Sequence, residues 1–354
     1  AAGMLATGAV QADPTVYGIL HLSIDTFSDD HYVDAGTADE AIAKPGEPEM
    51  RSNTSAIGVK GSEDLGGGMK AIYKAEFKVD PFSGSTSLQR RDVWVGLKGG
   101  WGKAAVGTMS TNYKQMGGKI DPLYRTVAEA RGILNMQSEA HAGAGTDGQG
   151  RAEQQLQYTT PKMAGIEIVL NTTISAADAG DATGVGADET YGIGIRWSNK
   201  NWLLYYDYLD PNAPSTGAFS TAAGNCYPDC DNDESIQKIG GKWSNKSFQV
   251  GAQYEMTEDQ LGGDYAYING LWNINKKNTV TVSYGQQDKI SSAYALAYVF
   301  SMSKQTNVYA GWGSVEADSP GSYILGADGN PGTGLKKDGT TPQDDGSVLT
   351  LGIR

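Results

Sequence analysis

Apolar and polar residues alternate in short segments along most of the chain, from Thr15 to its last residue. In one clear segment, Thr279 to Gln286, residues Val280, Val282 and Tyr284 alternate with threonine and serine. A period of two residues places successive side chains on opposite faces of a β-strand. These segments are therefore predicted to be strands with one apolar face and one small or polar face.

Counting the segments gives 16 predicted strands. The first is predicted over Thr15 to Ser28, a loop over Asp29 to Arg51, and the second strand over Asn53 to Gly61. Tight turns with Asn or Ser, such as Asn199 to Asn201, are expected to alternate strictly with long polar loops. This layout predicts an all-β fold, a 16-stranded antiparallel transmembrane β-barrel with short periplasmic turns and long extracellular loops. At this strand number the interior is wide enough to hold water.

Two stretches depart from the alternation. Between Thr108 and Gly150 the pattern is lost, and a loop this long within a compact β-protein is usually functional. We predict that this loop, over about residues 109–150, folds into the lumen and narrows it. The segment Trp202 to Tyr208 is apolar on both faces, so its pattern does not say which face points inward.

Composition alone would favour a soluble all-β protein. The chain has 354 residues, 48 of them Gly, a net charge of −13 and a mean hydropathy of −0.40. The sequence contains no run of about 18 apolar residues, so no membrane-spanning helix is predicted. Strands of a membrane barrel also have low mean hydropathy, because lipid-facing and lumen-facing residues alternate. The 19 Tyr and 7 Trp, against 6 Phe, are typical of aromatic girdles at two membrane interfaces.

The N-terminus indicates export. Residues 1–10 are small and apolar, and Val10-Gln11-Ala12 fits the small-x-small cleavage rule. We therefore expect a signal-peptide remnant over residues 1–12 and a barrel over residues 13–354. In an exported protein Cys226 and Cys230 are expected to form a local disulfide that stiffens its own turn.

Four stretches, in this order and spacing, resemble the trimeric general porins of Gram-negative bacteria, nearest the β- and γ-proteobacterial type. They are Val16-Tyr17-Gly18, Ser55 to Ile72, Arg91 to Lys98 with Trp101-Gly102, and Arg151 to Pro161 with Gly165. The resemblance implies a homotrimer in the bacterial outer membrane, in contact with lipid and lipopolysaccharide. It also implies a water-filled channel for passive diffusion of small hydrophilic solutes and ions.

The chain departs from this family at three places. Ala56 stands where the family usually has Arg, and Ile19 stands where a basic residue is common. The family usually ends in Phe, whereas this sequence stops at Arg354, so either further residues follow or the assembly signal differs.

Charged residues at the narrowest point set the selectivity of such a channel. The resemblance assigns Arg91 and Arg151 to the basic wall of the constriction. Strand alternation places Lys74 and Glu76 on one face of their strand. Lys60 and Arg90 are further candidates on the wall. The candidates on the loop are Asp121, Glu129, Arg125 and Arg131. Because Lys114 and Lys119 also lie on the loop, cations outnumber acids there, which favours a mildly anion-preferring constriction. Each loop charge has an equally simple interpretation as a solvated surface charge.

No motif for catalysis or a cofactor is present, and an acidic chain without a basic stripe does not predict nucleic-acid binding. The acidic segment Asp229 to Glu234 lacks the Gly and Glu of an EF-hand, so at most weak calcium binding by such loops is predicted. Two alternatives stay open. One is a substrate-selective porin with a saturable site at the loop, and the other is a secreted all-β binding or adhesion protein.

Overall fold

The computed structural model describes residues 14–28, 31–33, 41–43, 46–82, 88–133, 150–174, 191–210, 235–256, 264–287, 291–317 and 346–354. The predicted signal-peptide remnant, both cysteines, the acidic segment 229–234 and the second part of the long loop lie outside these residues.

Strands account for nearly all of the regular structure. They are β1 (Thr15–Ile19), β2 (Leu22–Phe27), β3 (His31–Val33), β4 (Ala41–Ala43), β5 (Pro48–Ser52), β6 (Ala56–Gly66), β7 (Met69–Lys78), β8 (Gln89–Gly99), β9 (Gly102–Ser110), β10 (Arg151–Thr159), β11 (Ile166–Thr173), β12 (Tyr191–Ser198), β13 (Trp202–Asp210), β14 (Ile236–Ser244), β15 (Phe248–Met256), β16 (Tyr265–Asn273), β17 (Asn278–Gln287), β18 (Ser291–Ser301), β19 (Asn307–Ala317) and β20 (Gly346–Ile353). Between β9 and β10, the described residues form two helices, α1 (Asn112–Ile120) and α2 (Ala130–Ile133).

Apart from the small β3–β4 hairpin, the strands form one antiparallel sheet of 18 strands. Every strand from β6 to β19 pairs with the next strand in the chain. At the ends of this series β6 pairs with β1, and β20 pairs with β2. β1 and β2 are separated only by Leu20 and His21, so together they act as one strand that pairs with β6 on one side and with β20 on the other. These pairings close the sheet into a ring.

The first two predicted strands are each interrupted, which is why the sheet has 18 strands and not the predicted 16. The second strand also begins earlier than expected, because β5 lies within the predicted loop Asp29 to Arg51. The two interruptions face each other: the His21 carbonyl accepts a hydrogen bond from the Asn53 amide (2.7 Å), and the His21 amide donates to Ser55 Oγ (3.0 Å). Thr54 between them has a φ of 57°, a conformation that β-branched residues rarely adopt and that no sequence pattern signals.

The alternation of apolar and polar residues is confirmed as two faces of the sheet. On β17 and β18, Val282 and Leu296 are about half exposed on the outer face. The intervening Ala293, Ala295 and Ala297 are buried on the inner face. The connections alternate less strictly than predicted, because β17 and β18 are separated only by residues 288–290.

The main hydrophobic core lies between the inner face of the sheet and the segment that carries α1 and α2. Met116, Ile120 and Leu123 of this segment cluster with Tyr205 and Tyr267 of the sheet. This contact explains the segment Trp202 to Tyr208, whose inner residues Leu203 and Tyr205 are apolar because the inserted segment covers them. No helix in the described part of the chain is long and apolar enough to span a membrane.

An arginine on the outer face tests the assignment of the two faces. Val282→Arg should lower the free energy of unfolding in lipid vesicles by about 2–4 kcal/mol, the cost of a cation facing lipid near the midplane. Thr279→Arg, on the inner face of the same strand, should cost much less because it meets water. Equal losses in reversible denaturant titrations would contradict the assignment.

Candidate functional site

Three of the residues predicted for the basic wall, Lys74, Arg91 and Arg151, meet at a β-bulge between β7 and β8. Ala75 pairs with Val93 and Phe77 with Arg90, so Arg91 and Asp92 together oppose the single residue Glu76. A bulge of this kind re-aims side chains, and here it directs two consecutive charged side chains towards Glu76 and Lys74.

These residues and Arg151 form a continuous series of ion pairs, the wall cluster (Tyr17, Lys74, Glu76, Arg91, Asp92 and Arg151). Glu76 accepts from Arg91 Nε (2.9 Å) and contacts Lys74 Nζ (3.0 Å). Asp92 accepts from Lys74 Nζ (2.6 Å) and from Arg151 Nε (2.8 Å). Arg91 is only 2% exposed, and each partner restrains the next, so the guanidinium groups are held in position.

Tyr17 of β1 completes the cluster by donating its hydroxyl hydrogen to Glu76 Oε2 (2.8 Å). Its ring lies across Gly58 of β6, where a Cβ would come within 2.6 Å of the hydroxyl oxygen. Glycine is therefore required at this position to let the Tyr17 ring lie against the strand.

Two other predicted wall cations lie elsewhere. Lys60 shares its face with Lys74, its cross-strand partner, and its Nζ stands 5.2 Å from the centre of the Tyr17 ring. Arg90 is in the cross-strand row of Phe77 and the outward-facing Ile57, and it pairs with Glu153. This register places Arg90 on the outer face and not on the lumen face that we expected. The reason is the bulge, which inserts one extra residue into β8 and so exchanges the two faces of the strand beyond it.

The inserted segment starts as a capped helix. Thr111 Oγ1 accepts a hydrogen bond from the Lys114 amide, which satisfies one free N–H group of the first turn of α1. Two glycines within α1 weaken it intrinsically, but a Cβ at Gly118 would come within 2.8 Å of the Tyr124 ring. The helix therefore depends on its contacts with the sheet and with the turn that follows it.

The predicted loop residues Asp121, Glu129 and Arg131 come together as a buried group, the loop cluster. Arg131 donates from Nε to Asp121 (3.0 Å) and from Nη2 to Glu129 (2.7 Å), and its guanidinium lies over the Tyr267 ring. All three are less than 10% exposed. Asp121 and Glu129 therefore neutralise Arg131 inside the loop instead of lining the opening opposite Arg91.

One guanidinium serves two carboxylates in this group. Burial, together with the negative charge of Asp121, raises the pKa of Glu129 to about 7. The same two carboxylates raise the pKa of Arg131, so this side chain stays charged.

Arg125 is the loop cation directed towards the wall. Its backbone amide donates to Glu129 Oε2 (2.6 Å), and its φ of 71° turns the chain sharply here. The side chain stacks on the Tyr124 ring and is close enough to interact electrostatically with Arg91 and His21. Arg125 and Arg91 thus bring positive charge from the loop and the wall to the same region.

A second buried group, the anchor cluster (Asn112, Tyr113, Asp207, Lys238 and Glu255), fastens α1 to the sheet. Asp207, Lys238 and Glu255 are direct cross-strand neighbours on β13, β14 and β15. Lys238 donates to the Tyr113 carbonyl and lies 4.1 Å from the centre of its ring, while the Tyr113 hydroxyl donates to Glu255 (3.3 Å). Asn112 Nδ2 donates to Asp207 (3.2 Å).

Sequence reasoning missed Asp92 and the anchor cluster. Asp92 follows Arg91 directly, and in a regular strand the two would point to opposite faces. Asp207 did carry a signal, since an acid within the apolar segment Trp202 to Tyr208 requires a partner. Its partner Lys238 is identified only by strand register.

Two of the three departures from the family pattern, Ile19 and Ala56, lie side by side on the inner wall. Ile19 and Ala56 are direct cross-strand partners, and Ala56 pairs on its other side with Lys78. The two basic positions that this chain lacks are therefore neighbours, in the row next to Tyr17 and Glu76. Among the described residues no group of three or more His, Cys, Asp or Glu could hold a metal ion.

A closed antiparallel sheet with an apolar outer face, a charged inner wall and a segment folded inside it is the arrangement of a porin-type barrel. The chain belongs to the Gram-negative porin family, whose model matches residues 1–320. This membership places the protein in the bacterial outer membrane.

Two relatives illustrate the range of similarity. The major outer membrane protein P.IB of Neisseria meningitidis is 28% identical over 56% of this chain and 54% of its own length, so the chain spans about half of this curated relative. An outer membrane porin protein of Bordetella pertussis is 24% identical over 88% of this chain and 91% of its own length.

Solved structures share the fold across almost the whole chain. The anion-selective porin from Comamonas acidovorans has a TM-score of 0.71 at 20% identity, covering 97% of this chain and 99% of its own. The outer membrane protein OmpT of Vibrio cholerae, in its trimer form, has a TM-score of 0.63 at 13% identity, covering 96% and 98%.

The loop cluster predicts a pH dependence. Because the pKa of Glu129 is raised, the contribution of this group to stability is fully present below the ordinary value of 4.5 and is lost as pH rises through about 7. Amides of residues 112–133 should exchange faster at pH 8 than at pH 5, after correction for the intrinsic rates. Glu129→Gln should remove most of this difference by slowing exchange at pH 8, because Arg131 then balances Asp121 alone. Glu47→Gln, at an exposed site, is the matched control, and an unchanged pH dependence in Glu129→Gln would contradict the assignment.

Proposed function

We propose that this protein is an outer-membrane porin through which small hydrophilic solutes and ions diffuse passively along a water-filled channel. The observation that carries the proposal is the wall cluster on the inner face of a closed sheet, with the inserted segment α1–α2 beside it. In this proposal the barrel has 16 membrane crossings, in which β1 with β2, and β5 with β6, each form one crossing. Short turns face the periplasm and long loops face the exterior.

The proposed channel carries out no bond chemistry. Its charged residues are held by one another in ion pairs, which is the arrangement expected of a fixed electrostatic filter. A solute passing the wall cluster would pass through the electric field of the rigidly held, largely buried guanidinium groups of Arg91 and Arg151, and its rate of passage would depend on its size and charge.

The charges favour anions. The wall cluster contains the cations Lys74, Arg91 and Arg151 but only the acids Glu76 and Asp92. Arg125 adds positive charge from the loop, whereas Asp121 and Glu129 are buried and share Arg131 as their partner. The Comamonas neighbour, described as anion-selective, agrees with this direction.

We further propose a homotrimer whose outer face contacts lipid and lipopolysaccharide. Support comes from the sequence resemblance to trimeric porins, from the Vibrio neighbour described as a trimer form, and from the exposed apolar residues of the outer face. Calcium binding by the acidic outer loops stays a prediction.

Recording from planar bilayers tests the channel itself. The refolded protein should insert with conductance steps in groups of three and a reversal potential of the anion-selective sign in a tenfold salt gradient. A folded protein that gives no conductance and stays in solution without detergent would overturn the proposal in favour of a secreted binding protein.

The adjacent residues Arg90 and Arg91 provide a matched test of the constriction. Arg91→Gln should lower the anion-to-cation permeability ratio by about twofold, because it removes a fixed charge beside the water path. Arg90→Gln removes the same charge from the outer row and should leave the ratio unchanged. Arg151→Gln is a second inner-wall variant for use if Arg91→Gln folds poorly. Equal anion-to-cation permeability ratios for the inner and outer variants would show that the wall cluster does not set the selectivity.

A further inference from the structure

Four lysines lie together on the inner face of four neighbouring strands. Lys70 pairs across strands with Lys98, and Lys98 pairs with Lys103. Lys60, on β6, pairs with Lys74 of the wall cluster. We call Lys60, Lys70, Lys98 and Lys103 the lysine strip.

The position of the strip follows from the register. Lys70 lies four residues before Lys74 on the same face of β7, towards the tight turn at Gly67 and Gly68. Lys98 and Lys103 flank the next tight turn, at Gly100 and Trp101. The strip therefore extends from the wall cluster to the mouth of the barrel that carries the short turns.

No ion pair joins any of these four lysines to an acid in the part of the chain that the structure describes. Asp64 opposes Lys70, but its carboxylate accepts the Gly66 amide within the turn. Lys103 interacts at longer range with Glu167 and Asp92, and it is also repelled by Lys98 and Arg196. Lys60 and Lys103 lie over the rings of Tyr17 and Trp94.

Like charges placed directly opposite each other destabilise a sheet. Here two such contacts follow in one row, Lys70 with Lys98 and Lys98 with Lys103, and a third joins Lys60 to Lys74. Lys70 and Lys98 are exposed, so their ammonium groups reach the water of the lumen. In an acidic chain of net charge −13, this concentration of lysine is a local exception, and Asp64, opposite Lys70, balances only part of its charge.

We propose that the lysine strip is a second anion site, in series with the wall cluster, that takes small multivalent anions such as inorganic phosphate at the short-turn mouth. The inference rests on the proposed channel function and adds to it a class of solute and a place of binding. Adjacent ammonium groups on one wall attract a divalent anion more strongly than a monovalent one, because each charge of the anion interacts with several lysines. The strip thus extends the attraction for anions beyond the constriction.

Block of the chloride current by phosphate tests the proposal. In the wild-type channel, phosphate added to one side should reduce the chloride current at lower concentration than phosphate added to the other side. The triple variant Lys70→Gln, Lys98→Gln, Lys103→Gln should raise the half-blocking concentration on the sensitive side by about threefold or more. The double variant Lys70→Gln, Lys98→Gln, at two exposed positions, serves if the triple variant does not assemble.

A matched control removes three lysines from the other short turns at the same mouth. Lys200, Lys246 and Lys276 are exposed there and lie outside the strip. Their triple change to Gln should leave block by phosphate unaltered. Three results would each overturn the proposal that the lysine strip binds anions. They are equal block of the wild-type channel from both sides, an unchanged half-blocking concentration in the strip variant, and an equal shift in the control variant. A wild-type protein without any conductance would instead overturn the channel function.

Discussion

The position of the inserted segment depends on one buried lysine. Lys238 is fully buried between Asp207 and Glu255 on the inner wall, and it holds Tyr113 of α1 through the backbone carbonyl and the aromatic ring. A buried ammonium group is tolerated only with partners, and here the partners come from both the sheet and the loop. This one group therefore links strand register to loop position, and loop position decides which part of the wall stays open.

The consequence is a division of the inner wall into a covered part and an open part. Under α1 and α2 the wall carries the anchor cluster together with a hydrophobic core that includes Tyr205, Tyr267 and Ala295. The wall at β6 to β9 carries the wall cluster and the lysine strip instead. Because Asp121 and Glu129 are buried with Arg131, the loop contributes little negative charge to the open side. An acidic protein thereby has a basic inner wall on its open side.

The sequence resemblance assigned Arg91 and Arg151 to one basic wall, and the structure connects them through Glu76, Lys74 and Asp92. It could not separate Arg90 from Arg91, because the bulge that reverses their parity depends on how β8 aligns with β7. It grouped Asp121, Glu129 and Arg131 but expected them to line the lumen. Whether a charge is solvated or buried depends on what packs over it, and that contact joins residues far apart in the chain.

The sequence by itself determined the strands and their two faces, the turns at one end, the long non-alternating segment and the family, because these depend on local periodicity and local turn chemistry. The tertiary structure decided the interruptions at His21 and Thr54, the bulge at Arg91 and Asp92, the side of the wall that the loop covers, and the alignment of the lysine strip. These features depend on the register between strands and on closure of the ring. A shift of one residue in register would exchange the faces of a strand while leaving its own pattern unchanged.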